Sequence, residues 1–473
     1  MEQELLKLKR FRERLYHVFD WRADALMDLV DGLAANQNAR SVAELSLEIS
    51  CRFGYGSLYA AIDGLVRPRK PAQEWTERKR LERRCQAAVA DVLARPQRAP
   101  YWTMAIDGLS VSRPHAGTLH DRGYVHQADA HRGARPVTVG HAYSLLVALP
   151  EKTSKVEPPW AVPLSTRRVA THHNALAIAV EQVVALMEGK DLPWHEALCV
   201  VAADAAYSVA SFLGPLAAEA NLVVDTRLRS NRTLYRLPKA KDPHRPGRPR
   251  AYGEPFKLND PSTRGEPDEV IEFHTTTRRG RSMSVRLEVW SNLIMRAKRA
   301  WPMHRHPFTV VRVTCHDEAG HIMFRRPMWL AIFGARRGEV TARQAQAVYH
   351  QRFHQEHMHR FGRQRLLLDA FQTPETQREE NWLVLVGLAY AQLFAARRLA
   401  VHLPRPWERQ QPVDPDAVAS PTTVMRNMPR ILGQSGTPAR APKPRGNAPG
   451  RAKGVSPPRR RRYPVICKRQ QAA

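Results

Sequence analysis

No two cysteines in this chain are spaced as a metal clip or a redox motif. Cys51, Cys85, Cys199, Cys315 and Cys467 stand as singles over 473 residues, which argues against a disulfide framework or a structural zinc and suits a reducing cytoplasm. Long apolar runs are missing too. The longest, WLVLVGLAYAQLFAA at 382–396, is shorter than the roughly 20 residues a membrane-spanning helix needs and closes on Arg397 and Arg398. It reads as a buried core helix, and no membrane partner is expected. The opening MEQELLKLKRFRERLYHVF has acids at once and no apolar stretch before a small-residue cleavage site, so no secretory signal is expected either. Internal repeats are absent, and no acidic residue follows Asp416.

What the chain has in excess is positive charge. Seventy-four Lys and Arg stand against 45 Asp and Glu, a formal net charge of +29. Such an excess points to a polyanion partner, because cations that neutralise phosphates release condensed counterions. Ribosome-associated and membrane-surface proteins share this balance, so charge alone does not choose. The hydrophobic content of 43% supports a large core and several domains.

Five segments follow from the pattern. Residues 1–96 read as helical; within them SVAELSLEISCRFGYGSLYAAIDGL opens on a capping box, Ser41 and Glu44, and breaks at Gly54 and Gly56. Two short helices about a glycine turn fit a helix-turn-helix and equally an ordinary αα-hairpin. From 97 to 229 the pattern alternates between strand and helix. YWTMAIDGLSVSR (101–113) has period two and VTVGHAYSLLVAL (137–149) is a further strand. THHNALAIAVEQVVALMEGK (171–190) is helical, EALCVVAADAAYS (196–208) is an apolar strand ending on Asp204, and NLVVDTRL follows. This is an α/β layer. Residues 230–335 read as a β-rich insertion, 336–403 return to helix through a second capping box at Thr341 and Gln344, and 404–473, with thirteen of the chain's 36 prolines, read as a disordered basic tail.

Asp107 and Asp204 are both placed where a predicted strand ends, which is where open α/β sheets hold ligands. The helical stretch 345–369 adds Tyr349, Arg352, Glu356 and Arg363, whose offsets of 3, 7 and 14 residues fall within about 60° of one another at 100° per residue, on one helix face. Two aspartates and a glutamate are hard oxygen donors that suit Mg²⁺ better than zinc, and paired metals serve phosphodiester chemistry by holding both the attacking and the leaving oxygen. Asp121 and Asp129 compete with Asp107, but lie in a polar, loop-like stretch. Asp225 ends a strand as well, although DTRLRSNR reads as a DNA-facing basic segment with Arg227, Arg229 and Arg232 as contacts. His354, His357 and His359 surround Glu356 in the order H-Q-E-H, which is not the H-E-x-x-H of zinc hydrolases; they read as phosphate-facing or solvated.

AIDG around Asp107, VVAADAAYS around Asp204 and the Tyr-x2-Arg-x3-Glu-x6-Arg spacing resemble the DDE transposases of bacterial insertion sequences, in the branch marked by a Tyr-Arg-Glu-Lys signature, with Arg363 standing where that branch has Lys. The resemblance spans roughly residues 40–400. It implies an RNase H-like core interrupted by the β-rich insertion, with Asp107, Asp204 and Glu356 as catalytic metal ligands for two Mg²⁺ ions, for which Mn²⁺ can substitute. It gives Tyr349, Arg352 and Arg363 phosphate contacts near the cleaved end. It also implies double-stranded DNA partners (terminal inverted repeats and target DNA), a homodimer on DNA, and a cytoplasmic, nucleoid-associated protein. The competing expectation is a catalytically silent DNA-binding relative.

Overall fold

The computed structural model describes residues 2–68, 70–127, 136–152, 154, 157–240, 244, 248, 250–277, 280–401, 418–443, 452–456 and 458–467. Five helices come first: α1 (Glu2–Val18), α2 (Ala23–Ala35), α3 (Val42–Leu45), α4 (Tyr55–Gly64) and α5 (Glu74–Ala90). Then come β1 (Tyr101–Ser112), β2 (Gly123–His126), β3 (Val137–Ala148), β4 (Val162–Val169), α6 (Ala175–Met187), β5 (Leu198–Ala203), α7 (Ala210–Leu216) and β6 (Leu222–Leu228). The β-rich stretch holds β7 (Thr233–Tyr235), β8 (Pro255–Lys257), β9 (Glu269–Thr276), β10 (Ser282–Leu293), β11 (Phe308–His316) and β12 (Met328–Phe333). Helices α8 (Ala342–Gln351), α9 (Phe353–Arg365), α10 (Thr376–Ala395) and α11 (Pro421–Ser435) follow. The chain divides into two compact units: one made of Met1–Ala94, Gly108–Ala175 and His354–Ala473, the other of Arg95–Asp107 and Leu176–Phe353.

The first unit is organised around α10. Its apolar residues run all round the helix, so it must be buried all round, and Trp382, Leu385, Ala389, Tyr390 and Leu393 are fully enclosed against β4, α2, α1 and α11. Several polar groups that the helix carries inward find partners. Gln392 donates to Asp31 at 2.7 Å, and Asp31 also accepts from Arg12; Asn381 donates to the Ile62 carbonyl at 2.8 Å. Glu379 accepts from Arg113, His141 and Tyr143, each at 2.7 Å. Burial alone would raise its carboxyl, but the His141 hydrogen bond and the Arg113 charge overcome burial and hold it below its ordinary range.

In the same unit β3 pairs antiparallel with β2 (Gly123↔Gly140) and with β4 (Ala142↔Val169), with a register shift between Leu146 and Val147. Gly140 is required there: a Cβ would lie 2.0 Å from the Val111 carbonyl oxygen. Ser41 caps α3, its hydroxyl accepting from the Glu44 N–H. That helix is a single turn of four residues.

The expectation of a structureless tail is corrected at α11. Ser420 caps it, Pro421 sits in its first turn, and Val424, Met425, Met428 and Ile431 are buried toward α2 and α10. One apolar stripe at helical spacing is enough to dock a helix, and an average over a proline- and arginine-rich segment conceals it.

The second unit holds a mixed sheet in the order β1-β5-β6-β12-β11-β10-β9. β1, β5 and β6 run parallel; β12, β11, β10 and β9 add antiparallel. β5 is buried along its whole length, as its apolar run requires of a central parallel strand. The β-rich stretch is therefore mostly not a sheet of its own: β12 pairs with β6 (Ile332↔Asp225) and prolongs the sheet that carries the aspartates. Only β7 and β8 stand apart as a two-stranded sheet. Helix α8 packs on β5, β6, β10 and β12, and its capping box at Thr341 and Gln344 is fully formed. The architecture is mixed α/β and consistent with an RNase H-like fold. No helix among the described residues is long and apolar enough to cross a membrane.

Candidate active site

Two adjacent parallel strands build the site. β1 and β5 are in register from Tyr101↔Leu198 to Ile106↔Ala203, so Asp107 and Asp204 are the next residue of each chain, at the same level of the sheet. Asp204 follows the last residue of β5 and opens a short turn, its carboxylate accepting from the Ala206 N–H at 2.8 Å. Its own carbonyl accepts from the Thr226 hydroxyl on β6 at 2.8 Å. Asp107 does not end its strand as expected. β1 continues to Ser112, and Asp107 lies mid-strand at the level where its neighbour β5 stops.

Arg352 closes on this pair. α8 ends at Gln351 and α9 begins at Phe353, with Arg352 between them still in helical conformation, so the expected helix face carries across a break. Its guanidinium meets the Asp107 carboxylate at 2.9 Å and is buried, with the Arg352 side chain 7% and the Asp107 side chain 23% exposed. It also lies over the rings of Tyr349, at 5.5 Å, and Phe353, at 5.0 Å. The guanidinium expected on a DNA phosphate is therefore turned onto the first aspartate. Tyr349 is 2% exposed; burial raises its hydroxyl pKa, with the Arg352 and Arg227 charges opposing.

Tyr207 was not among the expected site residues. It is buried three residues after Asp204, and burial together with the Asp107 and Asp204 charges pushes its hydroxyl far above the ordinary range, so it remains a neutral donor. Its place in VVAADAAYS was the available signal. Among the basic candidates Arg227 and Arg229 are exposed, whereas Arg232 is half-buried and donates to the Ser208 carbonyl at 2.8 Å.

Glu356 and Arg363 belong to the other unit. Glu356 is exposed on α9. Arg363 binds Asp369 at 3.1 Å and the Ser110 carbonyl at 3.1 Å, and α9 runs through Gly362 to Arg365. A side chain at 362 would come within 2.9 Å of Leu368. His359 is buried, and His354, half-buried, is pushed by burial down to about 3, so neither matches the solvated or phosphate-facing expectation; His357 is exposed. Asp121 is engaged by Arg168 and Thr171, and Asp129 lies outside the described residues. Asp225 is 0% exposed in mid β6, and neither carboxylate oxygen has a hydrogen-bond partner among the described residues.

Two carboxylates side by side fit a hard divalent cation in kind. Among the described residues no group of three or more His, Cys, Asp or Glu side chains is placed to hold a metal ion. The structure thus brings Asp107, Asp204, Arg352 and Tyr349 together and leaves the third expected acid in the other unit.

One family of known proteins, described as DDE superfamily endonuclease, matches residues 14–289. The matched span holds Asp107 and Asp204 and stops before α8. No curated protein matches the sequence. Endonucleases of this superfamily act on DNA and generally use divalent metals. With more than half of its length matched, the chain belongs to the DDE superfamily endonucleases.

Proposed function

We propose that this endonuclease is a transposase of the Tyr-Arg-Glu-Lys signature branch, encoded by a bacterial insertion sequence, which cleaves DNA at transposon ends and joins them to target DNA. The observation that carries the reading is the paired placement of Asp107 and Asp204 at one level of two parallel strands, inside the matched span. When bound there, a magnesium-class ion supplies Lewis-acid activation of water and stabilises the leaving oxygen. Asp107 and Asp204 would hold it, and Glu356 keeps the role of third acid that the resemblance gives it. Tyr207, fixed as a neutral phenol beside the two carboxylates, donates a hydrogen bond to a phosphate oxygen. Arg227 and Arg229 on the exposed end of β6 neutralise the approaching backbone. Tyr349 and Arg363 retain end-binding roles in the proposal, and dimerisation on two DNA ends goes with it.

Arg352 occupies the first aspartate in the free protein. On this reading it is displaced toward phosphate charge when the end docks, exchanging one anion for another. The same contact favours a second reading, a silent DNA-binding relative in which Arg352 permanently neutralises Asp107. Nicking of a supercoiled plasmid that carries the gene with its native flanking DNA separates the two. Mg²⁺-dependent nicks at the flanks, lost in Asp107→Asn, support the transposase; DNA binding with no nicking by the wild type supports the silent relative.

A further inference from the structure

Residues 458–467, PRRRRYPVIC, lie beside the segment 117–123 that leads into β2, far past the family match. The Tyr463 N–H donates to the Gly117 carbonyl at 2.9 Å, and the Ile466 N–H donates to the Arg122 carbonyl at 2.8 Å. Ile466 forms a parallel bridge with Gly123. Arg122, 4% exposed, reaches from below: one guanidinium nitrogen donates to the carbonyls of Arg113 and Pro114, the other to the Tyr463 carbonyl at 3.3 Å. The Tyr463 ring packs edge-on against His120 at 5.0 Å. The strap therefore has a built seat with a buried arginine in it, where the chain enters β2.

The seat aligns four arginines that are all exposed: Arg459, Arg460, Arg461 and Arg462. Arg461 stands over the Tyr463 ring at 5.3 Å, and Arg460 pairs with Glu375. We propose that this anchored run is a second DNA-binding element, a ridge that grips the phosphodiester backbone of duplex DNA. The proposal rests on the DNA-acting reading above. Arginines tethered next to the seated Tyr463 lose less entropy on binding than those of a loose tail, and an arginine fork suits phosphate.

The test uses the full chain and a labelled 30-base-pair duplex, with affinity followed across a salt series. Each phosphate contact contributes roughly 0.9 to the slope of log affinity against log salt. Replacing Arg459, Arg461 and Arg462 together by Gln is expected to lower the slope by roughly 2 to 3. A second variant, Tyr463→Ser with Ile466→Ser, keeps every charge but frees the strap; it is expected to weaken binding at least several-fold and to speed trypsin cleavage at the arginines. An unchanged slope in the first variant overturns the proposal. So does full affinity in the second despite faster cleavage, which would make the arginines a loose tail, or a slope change seen with single-stranded RNA and not with the duplex. Failure of the wild type to bind duplex at all would instead bring down the DNA-acting reading itself.

Discussion

Asp225 and Arg352 show how single charged groups shape this molecule. Asp225 is enclosed in β6 without a hydrogen bond among the described residues, and burial raises its carboxyl pKa well above the ordinary 3.8. The folded chain then holds this proton more tightly than the unfolded chain does. The stability linked to it is complete below about pH 3.8 and is lost as pH rises toward the raised value. Asp225→Val is expected to stabilise the protein at neutral pH by about 1–3 kcal/mol and to flatten the pH dependence of its urea midpoint between pH 4 and 8. An unchanged or lower midpoint would mean that the carboxylate has an essential partner. Arg352→Ala should cost about 1–3 kcal/mol, less than the ~3–5 of a fully enclosed pair because Asp107 keeps contact with water. It should also abolish nicking; retained nicking would remove Arg352 from the site.

At the scale of elements, α10 is joined to β3 and to the end of β1 by a buried charged network: Glu379 meets His141 and Tyr143 on β3, and the Arg113 and Glu379 side chains are both 0% exposed. Glu379→Gln leaves Arg113 facing a neutral amide and should destabilise by about 3–5 kcal/mol, read as a fall in thermal midpoint. Ile431→Ala in α11 should cost about 2–4 kcal/mol; no change would show that α11 does not dock in solution. The elements that build the site were legible because they follow simple rules: an apolar run of strand length for β5, alternation for β1, a capping box for α8. β4 escaped because Pro163 and four polar residues interrupt VPLSTRRV; the strand is specified by its partner β3 and by α10, not by its own pattern. β2 is only four residues long. The Arg352–Asp107 contact joins residues 245 positions apart, and no local rule encodes it. Asp204 could be found from its strand end, whereas the mid-strand place of Asp107 depends on where its neighbour stops.

For the whole molecule, the excess of positive charge now has two kinds of address: arginines tied into the structure, such as Arg113, Arg232 and Arg352, and exposed ones at the end of β6 and along the C-terminal strap. The second kind lies open to solvent and meets DNA without first leaving a buried partner, so binding should weaken steeply with salt while folding does not. The central claim is that Asp107 and Asp204 form the catalytic pair of a DNA endonuclease, and Asp204→Asn tests it most directly. This change keeps the side-chain shape and removes the charge. Nicking of the plasmid with native flanks should be followed in Mg²⁺, with duplex binding measured alongside. The expected result is wild-type DNA affinity with nicking reduced by at least about a thousandfold, in line with the loss of several kcal/mol of transition-state stabilisation. Nicking at the wild-type rate by Asp204→Asn would contradict the account.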